Sequence, residues 1–306
     1  MSRLHYFALL VPALGLGELL AHVYFSRRAP SIEEWRELSD SVRRLKRPED
    51  LLVIAPPWAE PVARHALGDG PFPLEQVARA DASSYARAVE ISALGDRTDE
   101  TRNWRVVSEE PRGRFTLRVL ANPAPVTPKY RFLEHVAPES LEVAVLAGER
   151  ELPCPFTDRA PATAGGLHGH ATFPRERYRC PGGEASFVGV TVIDDQKYEP
   201  RRCLWAHPPE TGVLRLRFRA VPLGARLRAW AGLSYFLFRD GVGDPVTIAF
   251  FADGKPLGQH QHRDEWGFRA FSFETPGVSG KTADVDVVVS ADSAHSRDFC
   301  FAAETS

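Results

Sequence analysis

His260 and His262 stand two apart in Gln259-His260-Gln261-His262, with Asp264, Glu265 and Trp266 close behind. Alternate side chains of a strand share a face, so both imidazoles point the same way. With Asp264 or Glu265 they offer the nitrogen and oxygen donors that hold a transition metal. The plainer reading is a solvated strand face with Trp266 packed against it. Trp58 and Glu60 follow a short apolar run, Leu51–Ala55, and the turn Pro56-Pro57. In open sheets ligands favour the carboxyl ends of strands, where an indole stacks a sugar or a lipid headgroup, or simply covers the sheet edge. His168-Gly169-His170 offers two more imidazoles, but spacing fixes no further ligand and exposed loop histidines are the simpler reading. No metal and no cofactor are expected.

Other chemistries are excluded by what their motifs require. Gly277-Val278-Ser279-Gly280-Lys281-Thr282 echoes the tail of a phosphate-binding loop, yet position 275 is Thr where that loop needs its first glycine. Gly232-Leu233-Ser234 lies inside a strand pattern instead of a nucleophile elbow. A glycosidase carboxylate pair is a spatial feature that spacing does not reveal. The net charge of −2 gives no polyelectrolyte signal, so nucleic acid is not an expected partner. The basic residues are overwhelmingly Arg, a bias that fits a GC-rich bacterial genome.

The elements that must position these residues follow from periodicity. Tyr6 to Phe25 is twenty residues of mostly apolar character, enough to span the hydrocarbon core as a helix, with Tyr6, Tyr24 and Phe25 as interfacial aromatics. No small-x-small pair precedes Ser26-Arg27-Arg28, which favours an uncleaved anchor over a signal peptide. Glu18 and His22, four apart, share one face of that helix and either meet a partner membrane helix or reach the interface from its end.

Residues 30–150 read as a small α/β region. Ser31-Ile32-Glu33-Glu34 is a capping box, and Trp35, Leu38, Val42 and Leu45 continue with helical spacing. Strands are expected at 51–55, 88–94, 115–120 and 141–146, alternating with helices at 59–66, to about 85 and at 130–135, which implies parallel pairing. Residues 151–183 form a Pro/Gly-rich linker bracketed by Cys154 and Cys180. A bridge between them would contribute roughly 3–4 kcal/mol.

From 184 to 306 the pattern has period two. Strands are expected at 186–192, 202–206, 212–219, 226–238, 246–251, 257–262, 267–273, 283–290 and 297–302. Leu214-Arg215-Leu216-Arg217-Phe218 alternates apolar and basic residues, the mark of a sheet with one wet face. Asp253-Gly254 is a hairpin turn. An antiparallel β-sandwich of jelly-roll type accounts for this spacing. Four cysteines, Cys154, Cys180, Cys203 and Cys300, in a chain with an export signal favour disulfides, although the sequence alone does not fix their pairing.

The segment order Arg201-Arg202-Cys203-Leu204-Trp205, then Val246 to Lys255, Trp266 to Phe273 and Asp298-Phe299-Cys300-Phe301 resembles galactose-binding-like and carbohydrate-binding jelly-roll domains over about 120 residues. The resemblance implies first and last strands that lie close together, placing Cys203 near Cys300, where a bridge would contribute roughly 4–5 kcal/mol. It also implies a ligand site in loops at one end of the sandwich, with Trp230, Tyr235, Arg239, Asp240, Asp244, His260, His262, Asp264 and Trp266 as candidates. A sugar ring has apolar faces and a polar rim, which suits an aromatic beside charged hydrogen-bonding groups. Separately, residues 31–69, with a helix, Arg47-Pro48-Glu49-Asp50, an apolar strand and a Pro-rich turn, resemble extracytoplasmic segments of membrane glycosyltransferases.

The sequence therefore reads as an α+β multidomain protein: an anchor helix at 6–25, a small α/β region, a linker and a C-terminal antiparallel sandwich. Its expected role is glycan binding or assembly at the bacterial envelope, with the body on the extracytoplasmic, periplasmic side of a single-pass anchor. The alternatives are a cell-envelope enzyme of glycan processing or glycosyl transfer with its site at Trp58, and a structural partner of a membrane complex. The lack of any catalytic motif leans against the enzyme.

Overall fold

The structure is a computed structural model that describes residues 3–163, 171–235, 243–263 and 267–306; within the first helix, side chains are described from 12 to 24. The chain forms two compact units, residues 1–76 with 82–125, and residues 77–81 with 126–306.

The first unit begins with α1 (Arg3–Arg28), which contains Pro12. Leu14, Leu16, Leu19 and Leu20 on it are all more than half exposed, and Glu18 and His22 are exposed as well. Among the described residues no helix is long and apolar enough to cross a membrane. The capping box forms as the sequence dictates: Glu34 N–H donates to Ser31 Oγ (3.2 Å) and Ser31 N–H to Glu34 Oε2 (2.7 Å), opening α2 (Ile32–Glu37). After α3 (Ser39–Leu45) comes β1 (Leu51–Ala55), buried at every position, then α4 (Glu60–Leu67) and α5 (Leu74–Val77).

Strands β2 (Arg87–Ala93), β3 (Arg105–Arg112) and β4 (Phe115–Ala121) complete a sheet of order β1-β2-β4-β3. Only β1 and β2 run parallel. The expected parallel layer is thus corrected to a mixed one, because β3 returns to β4 through a tight turn at Gly113, which adopts φ +60°. Such a connection joins only antiparallel strands.

A carboxylate lies at the centre of this sheet. Glu90 on β2 is fully buried, and its Oε1 sits 3.0 Å from Arg118 Nη1 and 2.9 Å from Arg97 Nε. Its Oε2 accepts from Thr98 N–H (3.4 Å) and Thr101 Oγ1 (3.3 Å). Two guanidiniums and two neutral donors offset the desolvation of the one charge.

The second unit is a β-sandwich. Its first sheet has the order β16-β13-β18-β11-β10-β9-β8, made of β8 (Phe156–Thr157), β9 (Arg177–Arg179), β10 (Phe187–Asp194), β11 (Pro200–Ala206), β13 (Arg226–Leu233), β16 (Arg269–Glu274) and β18 (Phe299–Thr305), with β5 (Tyr130–Arg131) paired to β18. The second has the order β15-β14-β17-β12-β6-β7, made of β6 (Leu141–Ala147), β7 (Arg150–Pro153), β12 (Val213–Pro222), β14 (Val246–Ala252), β15 (Lys255–His262) and β17 (Thr282–Ser290). The strand expected at 141–146 is present, but its partner is β12, and three short strands, β7, β8 and β9, occupy the stretch read as an irregular linker. Residues 236–238 of the long strand expected to 238 lie outside the described residues.

Alternation builds the core. Leu214, Leu216 and Phe218 on β12 face inward opposite Val289, Val287 and Val285 of β17, and meet Leu204, Leu227, Ala229, Phe299 and Phe301 of the first sheet in one buried cluster. Arg217, on the wet face, grips Asp286 with two hydrogen bonds of 2.8 and 2.9 Å, and that pairing raises its pKa. Tyr178 of β9 donates its hydroxyl to Leu141 O of β6 (2.6 Å), and burial pushes its pKa up to about 12.

Both bridges form. Cys203 on β11 joins Cys300 on the adjacent β18 with Cα atoms 5.7 Å apart, and Cys154 joins Cys180 at 4.4 Å. The closeness of β11 and β18 is what the resemblance implied. Cys203 and Cys300 lie in a satellite cluster with Phe187 and Trp205, apart from the main core.

On β13 the residues alternating with Leu227 and Ala229 are Arg226, Arg228 and Trp230. Arg226 pairs with Glu274 across the register, and Arg228 lies between Asp81 (2.9 Å) and the mostly buried Glu304 (3.7 Å). Burial raises the Glu304 pKa above its ordinary 4.5, with Arg228 opposing and Asp81 adding to the rise.

Two predictions follow from these buried charges. Glu90→Ala leaves Arg97 and Arg118 without their shared partner and should destabilise the first unit by about 3–5 kcal/mol in chemical denaturation. For Glu304, the folded state retains a proton that the unfolded state releases, so its contribution to stability falls as pH rises from 4.5 through the raised value. Glu304→Gln should therefore gain stability over the wild type at neutral pH, and unfolding curves at successive pH values should show that gain vanish below 4.5.

Candidate functional site

Strand register brings several loops to one end of the sandwich. In the first sheet Asp194 pairs with Pro200, Leu233 with Phe299 and Ala231 with Arg269. In the second, Val246 pairs with His262 and Thr247 with Ser290. The turn 195–199, residues 234–235 and 243–245, residues 267–268 and the stretch 291–298 therefore lie together. Hydrogen bonds tie them: Gly267 N–H to Gln196 Oε1 (2.9 Å), Ser234 N–H to Asp298 O (2.9 Å), Asp244 N–H to Ser293 O (3.1 Å) and Arg297 Nη2 to Gly243 O.

The turn 195–199 is held by its first residue. Asp195 is fully buried; its Oδ1 accepts from Lys197 N–H (2.8 Å) and Glu199 N–H (3.1 Å), and its Oδ2 from Arg201 Nε (3.0 Å) and Phe268 N–H (3.3 Å). That network keeps Tyr198 in a left-handed conformation, φ +61°, which is an outlier for a bulky side chain and persists where its surroundings over-determine it. The result is an outward-facing ring, 45% exposed, whose centroid lies 4.2 Å from that of Tyr235, with the two hydroxyls hydrogen-bonded to each other. Gln196, also fully buried, leaves its Nε2 without a hydrogen-bond partner among the described residues.

Of the residues expected to bind, Tyr235 and Asp244 are at this end. Asp264 and Trp266, and likewise Arg239, Asp240, His168 and His170, lie outside the described residues. His260 and His262 do share a face, but it is the inward one: they stand opposite Ile248 and Val246, two core residues. His262 is fully buried and His260 stacks on Phe271 at 4.2 Å. Among the described residues no group of three His, Cys, Asp or Glu side chains is placed to hold a metal.

Trp230 is buried on the outer face of the first sheet with the Arg228 guanidinium 4.9 Å from its ring. It borders a small cavity of about 260 Å³ with Asp81, Arg226 and Ser272. Trp58, in the turn after β1, is 65% exposed, and Glu60 forms a local ion pair with Arg64 (2.8 Å).

Sequence reasoning missed Tyr198, and the polar run Asp194-Asp195-Gln196-Lys197-Tyr198 between two strands was its one signal. It also passed over Arg177, whose neighbours Pro161, Phe173, Pro174 and Phe187 lie near it in the chain but follow no periodic pattern.

No family model matches the chain, and no curated protein matches it in sequence. Among solved structures it is similar to the CBM51-2 and INT domains of Clostridium perfringens ZmpB, with 10% identity over 54% of this chain and 36% of that one, and a TM-score of 0.29. The chain thus spans about a third of that structure's length. A CBM51 carbohydrate-binding module of Clostridium perfringens GH95, solved with methyl-galactose, shares 12% identity over 47% of this chain and 92% of that one, with a TM-score of 0.29. The K3 cleaved adhesin domain of Lys-gingipain from Porphyromonas gingivalis shares 10% identity over 58% of this chain and 96% of that one, also at 0.29. Carbohydrate-binding modules are the kind of protein that the sequence resemblance named. Scores of this size transfer no ligand, so the functional reading stands on the geometry of the loop end.

Proposed function

We propose that the sandwich, read as a jelly roll of the carbohydrate-binding kind, binds a glycan at its loop end through Tyr198 and Tyr235. The observation that carries this reading is the tyrosine pair itself. Two aromatic rings from separate segments meet through their hydroxyls, and the one on the turn fixed by the buried Asp195 carboxylate faces solvent in a strained backbone conformation. Such a surface offers apolar faces to sugar C–H groups and phenol oxygens to its hydroxyls. Because the turn is already fixed by Asp195, little ordering remains to oppose binding.

We read α1 as attachment to a membrane, with the sandwich on the extracytoplasmic side. Its support is the row of exposed Leu14, Leu16, Leu19 and Leu20, an apolar surface unusual on a free helix, and two disulfides, which suit an oxidising compartment. The enzyme reading draws support from exposed Trp58 at the carboxyl end of β1.

Glycan-array binding by the full chain in detergent tests the proposal. Tyr198→Ala and Tyr235→Ala should each weaken the retained glycan about tenfold, in line with the loss of an aromatic contact, while Trp58→Ala leaves it unchanged. Binding that survives both tyrosine substitutions and disappears with Trp58→Ala would move the site to the first unit and favour the envelope enzyme.

A further inference from the structure

A second cavity, of about 460 Å³, opens beside the Cys154–Cys180 bridge in the sandwich, and Arg177, Phe173, Phe187 and Glu184 line it. Strand β9 aims Tyr178 into the core, which turns its neighbours Arg177 and Arg179 to the opposite face; Arg179 stands across from Phe187 in the register. The Arg177 guanidinium lies beside two rings that meet edge to face with centroids 4.9 Å apart, its Cζ 5.9 Å from the Phe173 centroid and 5.4 Å from that of Phe187. Its Nη1 donates to Pro161 O (3.0 Å) and to Pro174 O.

Those two carbonyls are its only hydrogen-bond partners among the described residues, and no carboxylate there pairs with it. Arg177 is 8% exposed. A guanidinium buried to that degree ordinarily has an anionic partner, because desolvating the charge is costly. Burial and the like charge of Arg179 lower its pKa, with Glu184 opposing, so an added anion would relieve this site. The edge formed by Nε and Nη2, which makes no hydrogen bond among the described residues, is the fork that receives two oxygens of one oxyanion.

We propose that this cavity binds an oxyanion group, a carboxylate or sulfate, carried on a sugar ring that packs against the partly buried Phe173. The volume suits a monosaccharide-sized ligand. The sugar carrier rests on the glycan reading given above; the oxyanion rests on Arg177 alone.

Calorimetric titration of the full chain in detergent with glucuronic acid, glucose and inorganic sulfate tests it. Glucuronate should bind saturably, glucose at least about tenfold more weakly, and sulfate should compete with glucuronate. Added salt should weaken the glucuronate complex. Arg177→Gln should cost about tenfold or more. Glu184→Gln removes the competing carboxylate and should tighten binding roughly threefold, a gain that a misfolded protein would not produce. Equal binding of glucose and glucuronate, or no strengthening in Glu184→Gln, would overturn the proposal, as would no binding of glucuronate. Tyr198→Ala should leave the titration unchanged. An array on which no glycan depends on Tyr198, together with glucuronate still held by Arg177, would sink the loop-end reading and leave this one standing.

Discussion

The carboxylate of Asp195 is fully buried and accepts from four donors: two N–H groups of its own turn, the Arg201 guanidinium and the N–H of Phe268. A buried charge is tolerated only when its lone pairs are used and a counter-charge is near, and here both conditions are met by groups from different segments. The turn after β10 and the segment entering β16 are therefore fixed to each other by one side chain. Arg201 extends the tie, donating from Nη1 to Arg79 O at 2.9 Å. The strained backbone of Tyr198, and through it the tyrosine pair, depends on this anchor.

The scaffold behind that turn draws its stability from other sources. The sandwich core is built almost wholly of aliphatic and phenyl groups from both sheets, held at the edge by Cys154–Cys180, while Cys203–Cys300 staples two neighbouring strands within the satellite cluster. Rigid strands with both polar and aromatic residues delivered at their ends are the arrangement in which loops carry recognition. The two candidate sites differ in kind. The loop end offers an exposed aromatic surface on a fixed turn, whereas the cavity by β9 offers a buried cation to an anionic group.

The alternation in Leu214 to Phe218 announced a sheet with one wet face, and the turn at Asp253-Gly254 forms with both residues at positive φ, 46° and 76°. The Ser31 capping box was equally local. Strand β3 was missed because Arg105–Arg112 is exposed at nearly every position and leaves no apolar period. Spacing placed His260 and His262 on one face but did not say which. That choice depends on pairing with β14, which a bulge near Phe250 shifts by one residue. Tyr198 was illegible because its partner Tyr235 is brought to it from a distant segment, whereas the neighbours of Arg177 lie close to it in the chain but follow no periodic pattern.

The proposal stands or falls on a glycan binding at Tyr198 and Tyr235, on the turn that Asp195 fixes. Hydrogen exchange of the full chain, with and without a glycan retained on the array, tests this most directly. Added protection is expected in peptides covering 195–199 and 234–235, with the peptide containing Trp58 unchanged. Protection confined to the Trp58 peptide, or none at the loop end with the glycan saturating, would contradict it.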